Sequence, residues 1–108
     1  MGNLENIQKL SVLHCIYQSI ASADGAIDEV RDQNAIEYAL SELNLKDGDH
    51  WARALRLNPH DAFIHLSTIS DSDKVLFRKL LQCISEMGGN ITFRKNCANH
   101  IIQLANCN

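Results

Sequence analysis

The stretch "SADGAIDEVRDQN", Ser22 to Asn34, decides how the chain is read. It follows an apolar helical pattern and precedes another, and its acids around a glycine look like a calcium loop. An EF-hand loop needs oxygen ligands at positions 1, 3, 5 and 9, a glycine at 6 and a bidentate glutamate at 12. With Gly25 at position 6, Ser22, Asp24 and Asp28 fall at 3, 5 and 9. Position 1 is then Ile20 and position 12 is Arg31, a hydrocarbon and a cation where the strongest ligands belong. The stretch therefore reads as a helix–turn–helix junction. Gly25 ends one helix in the left-handed conformation, Ile27 plugs the turn into the core, and Asp28 caps a second helix beginning near it. Glu29 adds negative charge at that helix's positive end.

The apolar spacing around the junction is helical. Leu4, Ile7, Leu10, Leu13, Ile16, Tyr17 and Ile20 recur three and four apart, predicting an amphipathic helix from about Asn3 to Ser22. Beyond the turn, Val30, Ile36, Leu40 and Leu43 form the inner face of the second helix. "LKDGDHWARALRL" makes a weaker helix anchored by Trp51 and Leu55. Asn58 before Pro59 starts another, with Phe63, Leu66 and Ile69 facing inward. Ser70 with Asp73 forms a capping box for a helix carrying Val75, Leu76, Leu80, Ile84 and Met87 to Gly88-Gly89. Thr92 is expected to cap the last helix, whose inner residues include Ile101 and Leu104. One proline and no alternating strand pattern make the chain all-α.

The halves resemble each other at an offset of 64 residues: Gln18, Ile20, Gly25, Ile27 and Leu40 match Gln82, Ile84, Gly89, Ile91 and Leu104. Two pseudo-repeated helical hairpins in one compact domain over residues 1–108 are expected. Ile20, Ile27, Leu40, Ile84, Ile91 and Leu104 should then be buried together about a pseudo-twofold axis.

At 108 residues the chain can build one core but not two. The start shows no basic region followed by an apolar run, and no stretch nears the ~20 apolar residues that cross a bilayer. A cytoplasmic protein without membrane insertion is expected. The net charge of −3 hides an asymmetry. Residues 1–50 hold nine acids and three bases; residues 51–108 hold four acids and seven bases. Such a dipole favours self-association or a protein partner over nucleic acid. The doublets Arg78-Lys79 and Arg94-Lys95 lack interleaved aromatics and read as solvated faces.

Catalytic patterning is absent. The four cysteines form no CxxC pair and read as reduced structural thiols, with Cys15 and Cys83 inside apolar helical patterns. Cys97 and His100 lie three apart on one helix and could touch, but a pair alone lacks the orienting group and oxyanion donors of nucleophilic catalysis. No enzyme is expected.

The arrangement Ala23, Asp24, Gly25, Ile27 and Asp28 between two helices resembles the tellurite-resistance TerB-like domain family, and the likeness extends over most of the chain. The resemblance implies an all-helical bacterial protein without known enzymatic activity, acting in tellurite or stress resistance. In some members acidic residues bind a divalent metal. Carried onto this chain, the candidate metal ligands are Asp24, Asp28, Glu29 and Asp32. The chain departs from the family at Arg31, where the pattern has a glutamate, and at Gly88, where the second copy repeats the aspartate. The expected role is a non-catalytic protein-interaction module without a cofactor; the alternative is a divalent-cation-binding protein using those four acids.

Overall fold

A computed structural model of the protein describes residues 4–28, 30–46 and 48–108. Among them the chain forms six helices and no strand: α1 Asn6–Asp24, α2 Gln33–Glu42, α3 His50–Leu55, α4 Pro59–Ser67, α5 Asp71–Ser85 and α6 Ile91–Leu104. The all-α architecture is therefore as expected, with several differences of detail.

The first helix is not amphipathic in the ordinary sense. Leu10, Ser11, Val12, Leu13, His14, Cys15 and Ile16 are buried in succession, which no single helix face can accommodate. Helices α3, α4, α5 and α6 all pack on α1, so it is the central rod of the fold. Two of its buried polar residues, Ser11 and His14, are bonded to backbone carbonyls. Ser11 Oγ donates to the Ile7 carbonyl at 2.7 Å. His14 Nδ1 lies 2.9 Å from the Ala54 carbonyl, an obligate acceptor, so that nitrogen carries the proton. The helix ends at Gly25, φ 84°, and its expected start, Asn3, lies outside the described residues.

Burial pushes the His14 pKa below its ordinary 6.5, and the bond to Ala54 offsets this only in part. The folded protein thus refuses a proton that the unfolded chain accepts. Stability is intact above about pH 6.5 and erodes as pH falls below it. Thermal melts between pH 7.5 and 5.5 should show a falling midpoint that flattens in His14→Gln; equal slopes in both proteins would contradict this.

Helix α2 starts later than expected. Asp28 Oδ1 accepts from Val30 N at 3.0 Å and Arg31 N at 3.1 Å, and Asp32 N donates to the Asp28 carbonyl at 2.7 Å. Asp28 thus closes a separate turn, and α2 proper begins only at Gln33. Val30, expected inside, sits on that turn and is 86% exposed. At α6 the cap is Asn90, whose side chain accepts from Phe93 N at 3.1 Å; Thr92 lies within the first turn. The expected caps at Asn58 and Ser70 are present, accepting from His60 N at 2.9 Å and Asp73 N at 3.2 Å.

The core gathers Leu13, Ile16 and Ile20 of α1, Ala39 of α2, Leu66 of α4, Phe77, Leu81 and Ile84 of α5, and Ala98 and Ile102 of α6. Ile27 and Leu40 pack against it half-buried. The repeat-based core is corrected at Ile91 and Leu104, which are 46% and 48% exposed. The reason is that the second junction enters its helix at Ile91 itself, whereas the first inserts the Asp28–Asp32 turn before α2. Val75 and Leu76 also face outward, and Cys83 is exposed, while Cys107 is buried with its carbonyl held by Arg78 Nη1 at 2.6 Å. The radius of gyration, 12.3 Å, matches one compact unit of about 100 residues. Among the described residues no helix is long and apolar enough to cross a membrane.

Candidate functional site

The acids of the Ala-Asp-Gly turn meet arginines. Asp24 ends α1, Asp32 precedes α2, and Arg94 sits in the first turn of α6, so three distant parts of the chain converge. Arg94 donates through Nε to Asp24 Oδ2 at 2.9 Å and through Nη2 to Asp24 Oδ2 and Asp32 Oδ1, the latter at 2.7 Å. Arg31 closes the group from outside, its Nη2 lying 2.7 Å from Asp32 Oδ2 and 3.2 Å from Asp24 Oδ2. Two carboxylates and two guanidiniums form a neutral cluster. The Arg94 and Asp32 side chains have no exposed surface, whereas Arg31 is 39% exposed.

Burial works to raise the Asp32 pKa, but hydrogen bonds from Arg31, Arg94 and the Asp28 N–H outweigh it and hold the carboxyl at about 2. Gly89 makes room for the cluster. A Cβ there would stand 2.5 Å from Asp24 Oδ2 and 2.6 Å from Arg94 Nε.

Of the four candidate metal ligands, Asp24 and Asp32 are brought together, each carboxylate facing guanidinium groups. Asp28 closes its own turn through Oδ1 and offers its backbone N–H to Asp32. Glu29 lies outside the described residues. Among the described residues no three His, Cys, Asp or Glu side chains converge as a metal would require. Arg31, at the place of the EF-hand glutamate, supplies positive charge to the same carboxylates.

Arg94 is the residue that sequence reasoning missed, placing it on a solvated face. Its signal was periodicity. Arg94, Ala98, Ile101 and Ala105 share one helix face, and an arginine there on an apolar stripe needs buried acids. The acid excess at the turn around Asp24 provides them.

A second feature runs along α2, reaching α5 and the segments that follow both helices. A groove of about 570 Å³ is bordered by Glu37, Tyr38, Leu40, Lys46 and Met87. A smaller one of about 280 Å³ adjoins it, with Tyr38, Glu42, Leu76, Lys79 and Cys83 on its walls. Tyr38 stands where the two meet. Leu40, Leu76, Leu80 and Met87 supply the apolar part of the lining, and Glu37, Glu42, Lys46 and Lys79 supply charges of both signs. The buried thiols contribute nothing here, since burial pushes both Cys15 and Cys107 up, away from the reactive thiolate. Comparison with protein-family models, curated proteins and solved structures returns no match to this chain.

Proposed function

We propose that the protein is a non-catalytic module that binds another protein through the α2–α5 groove, in a bacterial stress or tellurite-resistance setting. One observation carries the reading: a partly exposed aromatic shared by two adjoining grooves whose linings combine apolar residues with charges of both signs. Interfaces concentrate their energy in such anchors, surrounded by contacts that exclude water. The resemblance of the Ala23–Asp28 turn to TerB-like domains supports the setting, and the engagement of Asp24 and Asp32 with arginines supports a structural role for that turn.

The test is capture from a lysate of the native cell with three baits: the parent, Tyr38→Ala combined with Leu76→Asp, and Phe93→Asp on α6. Tyr38 and Leu76 are partly exposed, so the groove variant should keep its helical circular dichroism. A protein retained by the parent and by Phe93→Asp but lost from the groove variant is the expected result. An identical set of proteins on all three baits would overturn it.

A further inference from the structure

A third recess adjoins α2 on the side of α3 and shares Glu37 with the larger groove. It measures about 310 Å³, and Gln33, Ile36, Glu37 and Trp51 border it. Its charge is one-sided. The two recesses beside Tyr38 contain Lys46 with Glu37 and Lys79 with Glu42, whereas here Glu37 is the single charged residue among the described ones. No ion pair engages Glu37 among the described residues. Its Oε1 accepts from Gln33 Nε2 at 3.1 Å, one turn earlier on the same helix face. Ile36 is buried and Trp51 half-buried. The recess therefore combines a carboxylate held in place, an indole and hydrocarbon, with nothing basic.

The surroundings are negative as well. Residues 28–49 hold seven acids and two bases, and the rest of the chain six and eight. Arg31 and Asp32 cancel within the buried cluster, while Asp28, Glu37, Glu42 and Asp49 are exposed. The last turn of α2 carries Glu42 and no base, so the negative end of its dipole is left uncompensated. Arg53, two residues beyond Trp51, lies about 160° around α3 from it. Such a face attracts cations and repels nucleic acid.

We infer that this recess receives an arginine side chain of the protein bound in the adjoining α2–α5 groove, an inference that rests on that reading of the groove. A guanidinium is flat and weakly hydrated, so it can stack on an indole while donating to a carboxylate. Its methylene stem suits the hydrocarbon of Ile36. Lysine would meet the charge but not the stacking. The volume is at the low end of the ~300–1,000 Å³ of small-ligand sites, room for one side chain rather than a large cofactor. One cation–π contact and one exposed carboxylate support only millimolar affinity for a free cation. A side chain carried by a partner already seated beside Glu37 binds as an intramolecular event and needs no greater strength.

Trp51 emission reports on the recess directly, because the chain has no other tryptophan. At constant ionic strength Nα-acetyl-arginine amide should change it saturably, and the uncharged citrulline analogue should not. Glu37→Gln should weaken the arginine response about 10-fold. Glu42→Gln should leave it unchanged, since that acid borders a different recess. Glu37 is exposed and glutamine is as good a helix former, so folding is not at stake. The titration uses no partner, so it holds even if capture through the groove fails. A protein that is captured through the groove should be retained less by a Glu37→Gln bait. A flat titration, equal responses to arginine and citrulline, or equal losses in Glu37→Gln and Glu42→Gln would overturn the site. A partner held by Glu37→Gln as tightly as by the parent would overturn its assignment to the partner's side chain.

Discussion

Arg94→Met should lower the free energy of unfolding by roughly 3–5 kcal/mol, the effect of removing one partner from a buried charge cluster. Methionine fills similar space, so the loss is electrostatic rather than a cavity. Asp32, wholly buried, keeps one guanidinium instead of two, and Asp24 loses its two hydrogen bonds from Arg94. Arg31→Met should cost less, because its guanidinium is partly exposed and water replaces it. The same variant has a signature in pH. With its folded pKa depressed from an ordinary 3.8 to about 2, Asp32 contributes stability that is complete above about pH 4 and lost as pH falls through 2. Denaturant unfolding at pH 7 and at pH 3 should show the gap between parent and Arg94→Met narrowing in acid. A gap below 1 kcal/mol at pH 7 would mean that the cluster contributes little, and a larger gap constant with pH would mean that the loss does not come from the Asp32 charge.

Gly89→Ala should be nearly as damaging, at roughly 2–4 kcal/mol. The methyl group would meet the Asp24–Arg94 pair at distances no real Cβ tolerates, on a residue whose φ of 62° already disfavours a side chain. Gly25 supplies the control. Its φ is 84°, yet nothing lies within 4 Å of a Cβ placed there. Gly25→Ala should therefore cost only the left-handed strain, about 1–2 kcal/mol. The difference between the two alanines, measured by urea unfolding, isolates the clash with the ion cluster from backbone strain. Equal losses would show that Gly89, like Gly25, is kept for its backbone alone.

What the sequence made legible was governed by local chemistry. Gly25, Asn58 with Pro59, and Ser70 with Asp73 act within four residues of themselves, and each marked its helix end correctly. One miss was local, Thr92 being read as the cap that Asn90 provides two residues earlier; the others came where a distant contact overruled the local pattern. Asp28 looked like the cap of α2, but the pull of Arg94 and Arg31 on Asp32 accompanies an independent turn, with Val30 cast outward. Ile91 and Leu104 look like core residues because their counterparts Ile27 and Leu40 do. Yet α6 turns its Arg94 face to the core: Leu104 falls outside the arc that holds Arg94, Ala98, Ile101 and Ile102, and Ile91, within that arc, is the first residue of the helix and is left 46% exposed. The acids around Gly25 were visible as a group, but their partner lay 62 residues from Asp32, where no local rule connects them. The α2–α5 groove is a product of tertiary packing and has no signature in either helix alone.

The central position of α1 has a consequence for how the chain comes together in time. The first helix of the chain is enclosed by helices that follow it, the last reaching residue 104. No early hairpin can shield it, because its faces are covered by four different segments. The ties from Asp24 and Asp32 to Arg94 span 70 and 62 residues, so the junction after α1 also waits for α6. During synthesis α1 is an orphan, with core residues on several sides, until α6 has emerged. Local helices form quickly, but enclosure of the rod is a long-range event with a loop-closure cost. A chain interrupted after α5 leaves one side of its first helix bare, and the loss of the last element is felt at the first.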